Sequence, residues 1–361
     1  MVDRRAMLAL MGSAAGAAGM GPAGAFPASD GKRKQIRQEG AMTKSWKLWP
    51  AEYEGLREEA RTAVEKMVAQ GGGAPSIGGL SLAERVRLQR KMVSALEVDM
   101  GGVNAVMAGV PCRILRPAGG TRGIYLHFHG GGFISGTPMG NEAGNARIRD
   151  VAGLTVVSVD YRLAPEHPYP AAIDDGMVVL DWILANAKKD FGTDVIVLGG
   201  DSAGAYLAAS VALRLRDRGA DARRLIRGVN LVNGVYDFSD GTPASQGRRA
   251  SMVPDSMTPS ASAFVTDSFL PGMNELDRRN PAVSPAFADL TNMPASLLTV
   301  GSADHLFDSN VLFAARLAAF GNDVELAVYP DCPHGFVRMP IELARRANAR
   351  IDDFLVRLLG T

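Results

Sequence analysis

Ten residues constrain this chain more than any others: Val195-Ile196-Val197-Leu198-Gly199-Gly200-Asp201-Ser202-Ala203-Gly204. Apolar residues lead into a glycine pair and a serine. A run of small residues with helical character, Ala203 to Leu215, follows. The pattern reads as a buried strand (Val195–Leu198), a sharp turn and a helix. Gly200-Asp201-Ser202-Ala203-Gly204 fits G-x-S-x-G, which presents a serine at the top of a strand-to-helix turn. A serine there is held in a strained backbone. Glycines on either side lack a Cβ, so strand and helix can approach closely. The helix N-terminus behind Ser202 favours negative charge developing next to it.

The chain around this turn alternates strands and helices. Val103–Met107 and Val110–Leu115 read as an antiparallel start to a sheet. Gly123–Phe128, Leu154–Val159, Arg227–Leu231, Ala295–Val300 and Val324–Tyr329 supply further strands. Helical patterns at Glu142–Ala152, Ala171–Ala187, Ala203–Arg218, Ser309–Phe320 and Ile341–Leu359 fall between or after them. Such alternation predicts an α/β fold with a mostly parallel central sheet flanked by helices on both faces. With 361 residues, 47% of them hydrophobic, the chain can fill the core such a sheet needs.

Two amphipathic patterns precede every strand. Ala51 to Gln70 places Tyr53, Leu56, Ala60, Val64 and Met67 at helical spacing. After Gly71-Gly72-Gly73-Ala74-Pro75, Ser81 with Glu84 forms a capping box for a second helix to about Leu96. Between Asp237 and Asn280 the strand rhythm fails in a stretch rich in Ser, Pro, Gly and Met. Long excursions from a compact domain usually carry function. The two early helices and this excursion are expected to form a lid. Segment 29–101 is read as linker and N-terminal lid helices, and 102–361 as the catalytic domain, with its lid insertion at about 238–280.

The first 28 residues are of another kind. Asp3-Arg4-Arg5 precedes the apolar Ala6–Met11 and a Gly/Ala-rich run. Ala23-Gly24-Ala25 offers a cleavage site, with a second candidate region at Phe26-Pro27-Ala28. Residues 1–28 are expected to be an export signal of twin-arginine (Tat) type, although Asp3 stands where a serine is usual. A periplasmic or secreted bacterial protein follows, or a cytoplasmic one if the signal is not used. No other apolar run reaches the ~20 residues of a membrane span. No stable membrane anchor is therefore expected. Lys and Arg (39) nearly balance Asp and Glu (38), which argues against a nucleic-acid partner. Cys112 and Cys332 lack metal-binding spacing and are expected to be buried free thiols.

A serine nucleophile needs a base, a group to orient it and donors for the oxyanion. Of the five histidines, His334 lies in the loop Pro330-Asp331-Cys332-Pro333-His334-Gly335-Phe336, beyond the last strand. Open α/β sheets keep their chemistry in such loops. Asp304, after the strand Ala295–Val300, is the expected partner of its Nδ1, with Asp308 as rival. The catalytic set is then Ser202, Asp304 and His334. For the oxyanion, Ala203 offers its N–H at the helix start. His127-Phe128-His129-Gly130-Gly131-Gly132-Phe133 offers those of Gly131 and Gly132. His129, Gly130, Glu166 and Asp201 are read as structural support. Arg162, Glu166, Asp174 and Asp175 are expected to brace the nucleophile loop. Neither a cofactor nor a metal is called for.

On these motifs the chain resembles the hormone-sensitive-lipase-like branch of the α/β-hydrolases, the bacterial carboxylesterases. The resemblance rests on His129–Phe133, on Gly200–Gly204 and on Tyr161-Arg162-Leu163-Ala164-Pro165-Glu166-His167-Pro168-Tyr169-Pro170-Ala171-Ala172. Asn280–Pro285, Asp304 and His334-Gly335-Phe336 extend it. It implies a serine carboxylesterase that cleaves short-chain esters of small molecules through an acyl-enzyme, under a helical lid and with no cofactor. An amidase, lactonase or sugar deacetylase would use the same triad. A non-catalytic small-ligand binder on this fold would have lost part of it. Two departures stand out. Ala205-Tyr206 replace the usual Gly-Asn, so that Tyr206 narrows a pocket or packs under the lid. His305 replaces the proline usual after the aspartate. Oligomeric state is not legible.

Overall fold

The computed structural model describes residues 47–71, 80–95, 97–239 and 259–360. The expected export signal, the whole of the polar linker that follows it (residues 29–42) and residues 240–258 of the insertion lie outside them. Among the described residues eight strands form one sheet: β1 (Val103–Met107), β2 (Val110–Leu115), β3 (Gly123–Phe128), β4 (Leu154–Val159), β5 (Ile196–Asp201), β6 (Gly228–Val232), β7 (Ala295–Gly301) and β8 (Val324–Tyr329). Their order is β1-β2-β4-β3-β5-β6-β7-β8. β1 and β2, and β2 and β4, pair antiparallel; all other pairs are parallel.

The helices are α1 (Arg57–Gly71), α2 (Leu82–Ser94), α3 (Glu142–Ala152), α4 (Ala171–Phe191) and α5 (Ala203–Asp217). They continue with α6 (Ala222–Leu225), α7 (Pro259–Phe269), α8 (Glu275–Arg278), α9 (Phe307–Ala319) and α10 (Glu342–Leu359). Successive side chains of a strand point to opposite faces, and this sheet uses both. Ile124, Leu126, Ile196, Leu198, Val229 and Leu231 join the core under α4, α5 and α9. Tyr125, Val156, Val197 and Leu297 join the core under α3 and α10. The near-continuous apolar strands thus follow from burial on both sides.

Some boundaries differ from those expected. The expected strand Val195–Leu198 instead runs on to Asp201, because Gly199 and Gly200 pair on both sides, with β3 and with β6. Glycine is required at 199 by packing: a Cβ there would stand 2.1 Å from the Tyr125 hydroxyl. The expected helix from Ala51 begins as a 3-10 turn over Ala51–Leu56 before α1. α4 continues past Ala187 to Phe191, where Gly192 at φ 75 ends it. The Ser81–Glu84 capping box is present. Both cysteines are buried and free. Among the described residues no helix is long and apolar enough to cross a membrane.

α2 and α7 meet above the carboxyl edge of the sheet. Arg85 of α2 lies over the Phe264 ring of α7, 5.8 Å from its centroid. Arg90 of α2 donates to the carbonyls of Ile134 and Ala164, just beyond the glycine loop. α1 reaches the loop after β8 instead, where Arg57 and Arg61 both pair with Asp331 at 2.7 and 2.9 Å.

Candidate active site

Ser202 follows β5 and caps α5 with φ 55 and ψ −119, the strained conformation the motif demands. Close approach, not helix propensity, decides its neighbour. Alanine forms helix better than glycine by about 1 kcal/mol. A Cβ at Gly204, however, would stand 1.9 Å from the Phe128 carbonyl oxygen. The first turn of α5 therefore lies directly on the chain that leads from β3 into the glycine loop.

That loop is held as tightly. Gly131 has φ 130, and a Cβ there would meet the Ser135 carbonyl oxygen at 2.0 Å. The Ser135 hydroxyl donates to the Gly131 carbonyl at 2.8 Å. A Cβ at Gly132 would meet Val265 of α7 at 3.0 Å, and one at Gly130 would meet the Asp201 carboxylate at 2.6 Å. Gly130 to Gly132 thus run beside the serine turn. Ala203 is the first residue of α5, where the N–H has no carbonyl partner inside the helix.

His334 and Asp304 converge on Ser202 from the loops after β8 and β7. His334 Nε2 is 2.9 Å from Ser202 Oγ. Its Nδ1 is 2.9 Å from Asp304 Oδ2 and 3.1 Å from Oδ1. Asp304 is completely buried. Its Oδ1 also accepts from the Leu306 N–H at 2.8 Å, and its Oδ2 from the Asn233 side-chain amide. Burial alone would raise the Asp304 pKa, but His334, His305 and the Leu306 N–H hold it down at about 2. Burial would likewise lower the His334 pKa. The facing Asp304 carboxylate outweighs this and raises it above the ordinary histidine value. Asp308 opens the first turn of α9, and it is Asp304 that meets His334.

Asp201, the residue before Ser202, ties three loops together. Its carboxylate accepts from Asn141 and, at 2.9 Å, from Arg338 Nη2. His127 Nε2 lies 3.9 Å away. Burial opposes charge here, but Arg338, His127 and Asn141 hold the Asp201 pKa well below the usual range. Arg338 stands four residues beyond His334, so this contact joins the serine turn to the histidine loop. Sequence reading missed Arg338, Asn141 and Asn233, which carry no local motif.

His129 and His127 are held by other partners. His129 is buried, its Nδ1 2.8 Å from the Gly130 carbonyl and its ring stacked on Tyr161. Burial lowers its pKa to about 4, so it is neutral at physiological pH. His127 Nδ1 meets Ser158 inside the sheet at 2.8 Å. Arg162 pairs with Asp175, and Arg214 with Asp174. Glu166 corrects the expectation: it braces α2, not the nucleophile loop. Its side chain turns outward and takes a two-pronged contact from Arg90 at 2.7 and 2.9 Å. Among the described residues, Asp304, His305 and His334 are the group with metal-ligand atoms within 4.8 Å of one another. Both Asp304 oxygens are already engaged by Leu306, Asn233 and His334.

The sequence pattern of a family described by its alpha/beta hydrolase fold matches residues 125–338, from β3 through the Arg338 turn. The chain belongs to that family. A carboxylesterase of Mycobacterium tuberculosis, NlhH, is 33% identical over 234 residues, covering 63% of this chain and 70% of that protein. A hyperthermophilic esterase from the archaeon Pyrobaculum calidifontis superposes with a TM-score of 0.74 at 27% identity, over 85% of this chain and 99% of that one. A hormone-sensitive lipase from a metagenome library gives 0.73 at 27% identity, over 83% and 98%. Within the α/β-hydrolases the chain falls in the hormone-sensitive-lipase-like branch of esterases.

Proposed function

We propose that the chain is a serine carboxylesterase for short-chain esters of small molecules. The single observation that carries this reading is the unbroken relay Ser202–His334–Asp304 at 2.9 and 2.9 Å. Ser202 Oγ attacks the ester carbonyl carbon while His334 Nε2 takes its proton. The carbonyl oxygen, now negative, receives the N–H groups of Gly131, Gly132 and Ala203. When the C–O bond breaks, the alkoxide leaves with the proton from His334. Water then adds to the acyl-enzyme by the same path and frees the acid and Ser202. α2 and α7 act as the lid over this site. Purified protein given p-nitrophenyl esters from acetate to laurate tests the reading. Saturable hydrolysis is expected, with covalent capture of one serine by a phosphonate ester. A well-folded protein that turns over none of them sinks it.

The electrostatics set the acid limb of the pH profile. A protonated His334 cannot accept from Ser202, so kcat/KM falls as pH drops through the His334 pKa. Because Asp304 raises that pKa, the midpoint is expected above the free imidazole value of about 6.5. A profile flat from about pH 5 to about pH 8 would remove His334 as base.

Arg338 is a positioning residue in this scheme. As a half-exposed ion pair it adds at most ~1 kcal/mol to stability. Its place between the serine and histidine loops matters more, since an ångström of misplacement can cost ~10²-fold in rate. Arg338→Gln is therefore expected to lower kcat at least ~10-fold with little change in KM. It should also move the acid limb upward, because Arg338 works against protonation of His334 and Asp201 favours it. Arg338→Lys should restore part of both effects. A stability loss with unchanged kcat and pH midpoint would reduce the contact to scaffolding.

A further inference from the structure

The glycine loop is held by a residue outside its own motif. The Gly131 carbonyl accepts from the N–H groups of Ile134 at 3.4 Å and Ser135 at 3.1 Å, and from the Ser135 hydroxyl at 2.8 Å. The hydroxyl bond is the shortest of the three, and Ser135 is completely buried. Its oxygen in turn accepts from the side-chain amide of Gln89, on α2, at 3.2 Å. A serine hydroxyl has one proton to give. Ser135 gives it to Gly131, so Gln89 must face Ser135 with its NH₂. The bonds therefore run one way, from α2 through Ser135 to the loop. Arg90, the next residue of α2, fixes where Gln89 stands. Its guanidinium donates to the Ile134 carbonyl at 2.8 Å and grips Glu166 with both nitrogen tips.

A peptide unit is planar and trans, so its carbonyl and the next N–H point in opposite directions. The Gly131 carbonyl and the Gly132 N–H share one such plane. Whatever pins that carbonyl aims that N–H. The plane before it is pinned likewise: His129 Nδ1 lies 2.8 Å from the Gly130 carbonyl, whose plane carries the Gly131 N–H. Gly131 and Gly132 stand at φ 130 and φ 63. Glycines are free to turn, so these planes keep one direction only where a partner holds them. We propose that Ser135, held by Gln89, is a positioning residue that aims the Gly132 N–H at the oxyanion, so that docking of α2 completes the oxyanion site. This rests on the esterase reading, and deepens it: α2 shapes the site as well as covering it.

The test measures p-nitrophenyl acetate kinetics, the Ki of a trifluoromethyl ketone and a melting curve. It compares wild type with Ser135→Ala, Gln89→Ala, Gln89→Glu and each Gln89 change combined with Ser135→Ala. Ser202 Oγ bonds to the ketone carbon, its proton passes to His334, and the former carbonyl oxygen is left negative in the glycine loop. The ketone thus reports the oxyanion site without turnover. Losing one oxyanion donor costs ~10²–10³ in kcat. Ser135→Ala misaims a donor without deleting it, so a fall of ~10- to 100-fold in kcat is expected. KM should stay within about 2-fold, as for an interaction made only in the transition state, and Ki should rise with the loss in kcat. Gln89→Ala should act the same way but more weakly. Gln89→Glu is the sharper change. A carboxylate only accepts, and as a charged acceptor it outcompetes a carbonyl. The Ser135 proton then turns to the new carboxylate and leaves Gly131. This near-isosteric change should cost more kcat than Gln89→Ala, and neither Gln89 change should add to Ser135→Ala. Should Ser135→Ala fail to fold, the Gln89 changes, at a half-buried position of α2, carry the test. Folded variants with wild-type kcat and Ki overturn the proposal. So does a Gln89→Glu milder than Gln89→Ala. A wild type that neither hydrolyses esters nor binds the ketone overturns the esterase reading instead.

Discussion

Replacing Ser202 with alanine is expected to lower kcat on p-nitrophenyl acetate by about 10⁶ while leaving the melting temperature unchanged. The rate loss follows from the relay: without Oγ there is no nucleophile, and His334 has nothing to activate. In an unrelated serine hydrolase, loss of the serine alone costs about as much as loss of the whole triad. What survives should be the weak catalysis of an oxyanion site acting on water. The stability claim follows from the backbone. At φ 55 and ψ −119 the residue is strained because it carries a Cβ. Alanine carries one as well and inherits the strain, about 1–3 kcal/mol at such positions. Ser202→Gly separates the two effects. It should be equally inactive yet no less stable, since relief of strain offsets the ~0.5–1 kcal/mol entropic cost of glycine. Turnover by Ser202→Ala above one part in about 10³ of wild type, with contamination excluded by phosphonate labelling, would show that another group attacks the ester.

The same strain explains why so much of the site was legible. A serine held this way needs small residues at 200 and 204, and a loop that presents N–H groups needs glycines such as Gly131. Both leave marks in adjacent residues. The strands were legible because burial on two faces writes apolar runs of strand length. The base was legible because only five histidines exist and His334 is the one in the loop beyond the last strand. What escaped were contacts between distant parts of the chain. Asn233 meets Asp304 across 71 residues, and Arg338 meets Asp201 across 137. Neither polar residue sits in a pattern, because its partner is chosen by the fold. Glu166 shows the converse error. It lies within a motif-bearing stretch, Tyr161 to Ala172, and was read as serving the serine turn. Its carboxylate instead faces Arg90 on a helix that no local signal connects to it.

The hidden contact at Asn233 shapes the second large effect. Asp304→Asn is expected to lower kcat about 10⁴-fold, by trapping His334 in the wrong tautomer. An asparagine offers one oxygen and one NH₂ in place of two acceptors. The Leu306 N–H, 2.8 Å from Oδ1, belongs to the backbone and cannot turn away. The amide oxygen must therefore stay there, which puts the NH₂ where Oδ2 was, 2.9 Å from His334 Nδ1. Asn233 can accept this change by rotating its own amide. An NH₂ at that point donates to Nδ1, so the imidazole proton moves to Nε2 and points at Ser202 Oγ. A ring that donates to the serine cannot take its proton. Activity should then recover as hydroxide replaces the missing base, so the rate rises with pH beyond the range where wild type levels off. Two further variants separate this account from simple loss of charge. Asp308→Asn, at the start of α9, should keep kcat within about 3-fold of wild type, well inside the tenfold that 1.36 kcal/mol represents. Asn233→Ala should leave the His334 tautomer intact and cost far less than Asp304→Asn. If Asp308→Asn were the crippled variant, or if imidazole ¹⁵N shifts placed the proton on Nδ1 in Asp304→Asn, the tautomer argument would fail.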